Sequence, residues 1–250
     1  GPGSLREAVA AEGPRIVVFR VAGLIALDEP IVVRNPFLTL AGQTAPGDGV
    51  CLRNYGFVIA THDVVVRYLR SRVGDLGGRQ EDGITLAHGA RNVILDHCSV
   101  SWSIDEALSL AGNVSDVTIQ WCLIAESLDN SKHPKGPHGC GSLVRANGKV
   151  SLHHNLWAHH RTRNVRLGDN YGRPPYPAFD FRNNVIYNML LPFTFHPPRM
   201  NQSRPSSISG RMWECKSIIC FASSFCPFYQ ALPHNIDCTD NIYSYSTGSP

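Results

Sequence analysis

At 250 residues the chain can bury a large core, as one main domain or two smaller ones, and a charged fraction of 17% beside 22 glycines and 17 prolines favours strands and turns over helical bundles. A net charge of +3, with no interleaved aromatic and basic motif, argues against a nucleic-acid partner. No apolar run reaches the length of a signal peptide or a membrane span, so no membrane partner is expected and, if the protein is secreted, its signal was removed or never included. Eight cysteines are too sparse for a small disulfide scaffold, and no CxxC pair points to zinc.

The opening Gly1-Pro2-Gly3-Ser4 reads either as a tag remnant or as a turn before a short helix N-capped by Ser4 with Glu7 at the third position. Ile16 to Phe19 and Ile31 to Val33 are short β runs separated by turn residues. Apolar strands then begin near Phe37, Val64, Val93, Val117, Val150 and Ala178. That spacing is in the range of a solenoid repeat, with too many strands per repeat for a helical array. The reading is an all-β, single-stranded parallel β-helix.

The repeat aligns residue by residue. Leu95 to Val100, Ile119 to Ile124, Leu152 to Trp157 and Phe181 to Ile186 superimpose, which stacks Cys98, Cys122, Asn155 and Asn184 in one column. Inward cysteines there are small core fillers, and stacked asparagines can hydrogen-bond along the column. Loops at 74–82, 101–106 and 127–141, and a basic turn at 161–166, leave successive rungs on one side, the side that binds ligands in solenoids. The β-helix domain is placed at 1–188. The remainder, 189–250, holds half of the cysteines and many Pro and Ser, shows no rung pattern beyond Lys216 to Phe221, and is set apart as an atypical segment, poorly ordered or a last partial rung.

Two groups on the loop side carry chemistry. Arg161, Arg163 and Arg166 fall within six residues at the end of an alternating strand, a density of guanidinium groups suited to gripping carboxylates in forked geometry, or simply a solvated basic turn. Asp82, Asp105 and Glu106 lie on neighbouring rungs with no Cys or His beside them in sequence. They read as hard oxygen ligands for Ca²⁺ or as solvated turn carboxylates.

Asp82-Gly83-Ile84-Thr85, Asn92 to Ser99, Ser103 to Leu108, Val117 to Trp121, His153-His154-Asn155 and the arginine cluster together resemble the polysaccharide lyase family 1 pectate lyases, in order and spacing, over about Gly1 to Asn188. Thr44 to Gly49 also resembles a turn of one bacterial-type branch of that family. The resemblance implies that the β-helix is right-handed and of the pectin-lyase-like solenoid type, and that the protein is a secreted, Ca²⁺-dependent enzyme, expected to be a monomer, that cleaves de-esterified polygalacturonate of plant cell walls by β-elimination. It also implies an arginine as the base, carried in an Arg-x-Pro-x-x-Arg stretch. Arg161 with Arg166 keeps that spacing with Arg163 in place of the proline; Arg163 with Arg166 fits a shorter string with Val165 in its place. Arg163 is taken as the base, with Arg161 next and Arg166 as the clamp on a substrate carboxylate.

Two family positions differ. Ser109 stands where a calcium aspartate is expected, so Glu106 is assigned that role; Asp129 stands near a substrate-gripping lysine, which passes the role to Lys132 or Lys135, with His133 and His138 alongside. Asp96-His97 is read as a buried polar pair holding a rung, His153 and His154 as scaffold, and His159 and His160 as groove-lining residues. The other readings are a β-helix hydrolase, which requires two carboxyl groups flanking the bond, and a β-helix that binds acidic polysaccharide without cleaving it.

Overall fold

The computed structural model describes residues 3–77 and 80–189, together with the backbone of the strands Thr194–Phe195, Trp213–Phe221 and Tyr243–Ser244. Ser4 caps the helix Leu5–Ala10 by accepting from the Glu7 N–H, and Leu5 and Val9 bury against the first rung. The chain then winds through parallel strands on three faces, as the repeat predicts.

The first face is the ladder Arg15–Val18, Leu38–Ala41, His62–Arg67, Arg91–Asp96, Ser115–Gln120, Lys149–His153 and Ala178–Tyr187. Its register places Leu38, Val64, Val93, Val117, Val150 and Phe179 one above another, all buried. Leu40, Val66, Leu95, Ile119, Leu152 and Phe181 form a second such column. Burying each of these side chains contributes roughly 1.5–3 kcal/mol, and a slip of one residue would turn both columns to solvent. The second face runs from Gly23–Ala26 through Val50–Arg53, Leu69–Arg72, Ser99–Ser101 and Leu123–Ala125 to Leu156–Ala158.

The third face is a seven-stranded sheet: Ile31–Val33, Phe57–Ile59, Ile84–Ala87, Glu106–Ala111, Cys140–Ala146, Arg166–Asp169 and Thr194–Phe195. The connections 73–83, 126–139 and 159–165 that lead into it are long, and 102–105 is a short turn. They gather at the starting ends of its strands.

The predicted column is present at the turn from the first face to the second. Asn155 Oδ1 accepts from the Cys122 N–H at 2.9 Å, and its Nδ2 donates to Ile119 O at 2.9 Å and to Asn184 Oδ1 at 3.1 Å. Asn184 Nδ2 donates in turn to Leu152 O at 2.8 Å. Cys98 and Cys122 are free, buried thiols donating to backbone carbonyls, as core fillers do. Asn155→Ala is expected to destabilise the protein by about 2–4 kcal/mol, because it leaves the buried Cys122 N–H and Ile119 carbonyl without side-chain partners; urea unfolding measures it.

Just before this column one residue per rung takes the left-handed conformation: Tyr68, His97, Trp121, His154 and Asn183, with φ between 52° and 57°. Their rings stack outside the helix, Tyr68 on His97 at 4.8 Å and Trp121 on His154 at 4.4 Å. Of the pair expected to be buried, only Asp96 is. It accepts from Arg67, His97 and Gln120, while the His97 side chain is 40% exposed because its backbone turns outward. His153 and His154 belong to this same turn, on the scaffold side.

Beyond residue 189, the strand Trp213–Phe221 pairs in parallel with Ala178–Tyr187. Apart from Met189 and the three short strands, the segment 189–250 lies outside the described residues. Among the described residues no helix is long and apolar enough to cross a membrane.

Candidate active site

The strand Glu106–Ala111 starts beside Asp82, and a glycine makes the approach: a Cβ on Gly83 would lie 2.6 Å from the Ala107 carbonyl oxygen. Asp82 Oδ1 accepts from the Glu106 N–H at 3.0 Å, and its Oδ2 accepts from the Thr85 hydroxyl at 3.0 Å. The Asp105 N–H donates to Glu81 O, which fixes the turn that brings Asp105 beside the other two carboxylates. Burial, reinforced by the charge of Asp105, pushes the Asp82 carboxyl up to about 7 against hydrogen bonds from Thr85 and Ser109. The hydroxyl at the position of the expected aspartate thus enters the cluster as a donor to Asp82.

Arg163 reaches this group from the basic turn. Its Nη1 contacts Glu106 Oε1 and lies 3.7 Å from Asp105 Oδ1. Gly141 permits the placement, since a Cβ there would stand 2.6 Å from the Arg163 carbonyl oxygen, which accepts from the Ser142 N–H at 2.7 Å. Burial holds the guanidinium below the usual arginine range, Asp105 pulls it back up, and Arg166 adds repulsion. Arg166 sits on the outward side of its strand, next to Leu143. Arg161 turns elsewhere, donating from Nη1 to both carboxylate oxygens of Asp129 at 3.1 and 3.3 Å. Of the three arginines, Arg163 touches the acidic cluster.

The loop 126–139 supplies groups that the acidic residues lack in sequence. His138 Nε2 is 2.9 Å from Asp105 Oδ1, and His133 Nε2 is 3.6 Å from Asp105 Oδ2, with the two rings stacked at 3.8 Å. Cys140 Sγ lies within 4.8 Å of ligand atoms of Asp105 and Glu106. The expectation of a carboxylate set without His or Cys is therefore corrected: the excursion of 126–139 returns all three to the same rung. Cys140 had no signal in sequence, because nothing marked its strand as the neighbour of Glu106. The His133 side chain has no exposed surface and Lys132 is exposed, its backbone N–H donating to Asp75 Oδ1, whereas the charge of Lys135 is felt at both His138 and Cys140.

Burial disfavours the charged form of His138, whose Nε2 stands beside Asp105. His133 is engaged at both nitrogens: the Lys135 N–H points at Nδ1 at 3.1 Å, and Nε2 lies 3.0 Å from Gln80 Nε2 and 3.6 Å from Asp105. Burial, with Asp105 and Asp82 adding repulsion, pushes the Cys140 thiol up to about 12, so it stays protonated. Beside these groups stand the carboxylate oxygens, and two of them, Asp105 Oδ1 and Glu106 Oε1, are buried without a hydrogen bond, Arg163 lying against both. Three crowded carboxylates with oxygens left over fit a hard divalent cation such as Ca²⁺.

His160 departs from its expected place in the groove lining. It is 1% exposed, with Nε2 on the Ile124 carbonyl at 2.9 Å and Nδ1 accepting from the Ser127 N–H. His159 packs against Tyr187 and Asn188. Burial lowers His160 from 6.5 to about 4. The native state then refuses a proton that the unfolded chain takes, so stability is complete above 6.5 and falls by up to about 3 kcal/mol as pH drops to 4. Denaturant unfolding across that window is expected to show the slope, and His160→Gln to flatten it.

Fold and site together describe a parallel β-helix with acidic and basic residues gathered along its third face, and the chain is similar to proteins named pectate lyases. Probable pectate lyase C of Aspergillus terreus is 43% identical over 190 residues, covering 75% of this chain and 41% of the relative. The protein of that name from Aspergillus flavus is 44% identical over the same length and shares. Probable pectate lyase 13 of Arabidopsis thaliana is 29% identical over 124 residues, 47% of this chain and 24% of that protein. The chain is thus a homologue of named polysaccharide lyases and spans about two fifths of the length of the fungal ones. A solved pectate lyase structure superimposes with a TM-score of 0.47 and 13% identity, covering 83% of this chain and 53% of that one. No protein-family model matches the chain.

Proposed function

We propose that this chain carries the catalytic β-helix of a secreted, monomeric pectate lyase that cleaves de-esterified polygalacturonate within the polymer, by β-elimination to 4,5-unsaturated oligogalacturonides. The observation that carries the reading is the half-buried Arg163 guanidinium set against the half-buried carboxylate of Asp105 and the buried one of Glu106 at the starting end of a third-face strand. Asp82, Asp105 and Glu106 would hold Ca²⁺, which when bound neutralises a uronate carboxylate, makes the C5 proton more acidic and favours the enolate-like charge.

Arg163 is the base in this reading. A free guanidinium would stay protonated, but burial and the neighbouring Arg166 both disfavour its charged form. The C5 proton passes to it, the electron pair forms the C4–C5 double bond, and the C4–O4 bond breaks. Arg166, outward on the groove floor, grips a substrate carboxylate in a forked pair. His138 and Lys135 face the polymer at the rim. His133 acts through Asp105, its Nε2 standing 3.6 Å from that carboxylate. Asp129 holds Arg161 to one side of the reaction.

Hydrolysis needs an acid and a base on opposite sides of the bond, whereas ligand atoms of Asp105 and Glu106 share one pocket with Cys140. Incubation with polygalacturonate and Ca²⁺ at mildly alkaline pH is expected to give rising ultraviolet absorbance of unsaturated uronides, abolished by EDTA. Reducing ends without absorbance would establish a hydrolase instead, and binding without either product a non-catalytic polysaccharide module.

A further inference from the structure

On the strand Cys140–Ala146 the outward positions are Leu143 and Arg145, set by register beside Arg166 and Gly168. Gly168 has no side chain to set against Arg145 across that pair of strands. The Arg145 guanidinium lies over the Tyr171 ring, 4.0 Å from its centroid. Tyr171 is 72% exposed. Its turn is tied down twice: Asp169 Oδ1 accepts from the Gly172 N–H at 3.1 Å, and Asn170 Nδ2 donates to Asn113 Oδ1 at 3.0 Å.

Arg67, Arg161, Arg163 and Arg182 each face a carboxylate. Arg145 instead meets an aromatic face, as Arg72 does over Trp102 on the second face, but at 4.0 Å from the ring centroid rather than 5.9 Å and on the third face beside the site. Stacking fixes the plane of a guanidinium while its five N–H donors stay in that plane, where a carboxylate can take two. Arg145 stands two residues along the strand and one rung from Arg166, roughly 6.6 Å and 4.8 Å. That offset suits two sugar units of one polymer.

We propose that Arg145, stacked on Tyr171, is a second uronate-binding position of the groove, which takes the carboxylate of a different sugar unit from the one at Arg166. The proposal rests on the polygalacturonate reading above. It makes the floor of the third face discriminate by charge: a methyl-esterified unit at this position loses the forked pair.

Calorimetric titration of polygalacturonate, with Ca²⁺ present and in an Arg163→Lys background to suppress turnover, tests it. Arg145→Ala is expected to weaken binding about tenfold, with the melting temperature unchanged, and to have little effect on binding of fully methyl-esterified polymer. Tyr171→Leu leaves the charge but removes its support, and is expected to weaken binding about threefold; Tyr171→Phe keeps the parent affinity. Equal affinity in parent, Arg145→Ala and Tyr171→Leu sinks this position and leaves the lyase reading standing. If the parent binds no polygalacturonate, both fall.

Discussion

Replacing Arg163 with lysine is expected to lower kcat on polygalacturonate by about a thousandfold, against about tenfold for Arg161→Lys. The difference follows from what each guanidinium touches. Arg163 lies between Asp105 and Glu106 and is held below its ordinary range by burial, so its place and its proton affinity are both set by the acidic pocket. Arg161 is engaged by Asp129, an exposed pair of the kind that contributes little. Lysine keeps a positive charge near Glu106 but lacks the planar fork, so the buried carboxylates stay partnered while the base is lost. Arg163→Ala would instead leave buried charge uncompensated at a cost of about 3–5 kcal/mol. The lysine variant is therefore the one to read for catalysis. Full activity in Arg163→Lys with loss in Arg161→Lys would place the base at the other register.

How much of this was legible in the sequence divides along physical lines. The stacked column was legible because each rung repeats the same inward positions, so Cys98, Cys122, Asn155 and Asn184 align by counting and the structure joins the two asparagines through side-chain bonds. Asp82, Asp105 and Glu106 were legible as a group for the same reason, since register carries residues on adjacent rungs to one place. His138 and Cys140 were not legible as neighbours of Asp105. The excursion 126–139 has no period, so where it returns is decided by contacts such as the Leu128 N–H on Ser103 O and the Gly139 N–H on Leu128 O. Sequence likewise could not tell that His97 faces solvent and His160 the interior: a left-handed turn residue sends the first outward, and hydrogen bonds to Ile124 and Ser127 seal the second in.

The acidic cluster makes an expectation of opposite signs in one variant. Asp82→Asn is expected to stabilise the protein in EDTA at pH 8, by up to about 4 kcal/mol or roughly 10 °C in melting temperature, and to abolish the stabilisation conferred by Ca²⁺. A carboxyl raised from 3.8 to about 7 keeps, in the native state, a proton that the unfolded chain releases. Stability therefore falls as pH climbs from 4 to 7, and the full cost stands above 7. Asparagine removes that charge yet keeps the geometry, with Oδ1 to accept from Glu106 N–H and Nδ2 to meet the Thr85 hydroxyl. The gain should shrink towards pH 4 and vanish well below 3.8, where aspartate is protonated in both states. In the parent, Ca²⁺ at a hundred times its dissociation constant adds about 2.7 kcal/mol, a response the variant should lack because one of three hard ligands has lost its charge. Melting curves of the two proteins at pH 5 and 8, each with EDTA and with Ca²⁺, decide the matter. If Asp82→Asn melts below the parent in EDTA at pH 8, the crowding of Asp82 against Asp105 carries no cost, and the cation has no charge strain to relieve.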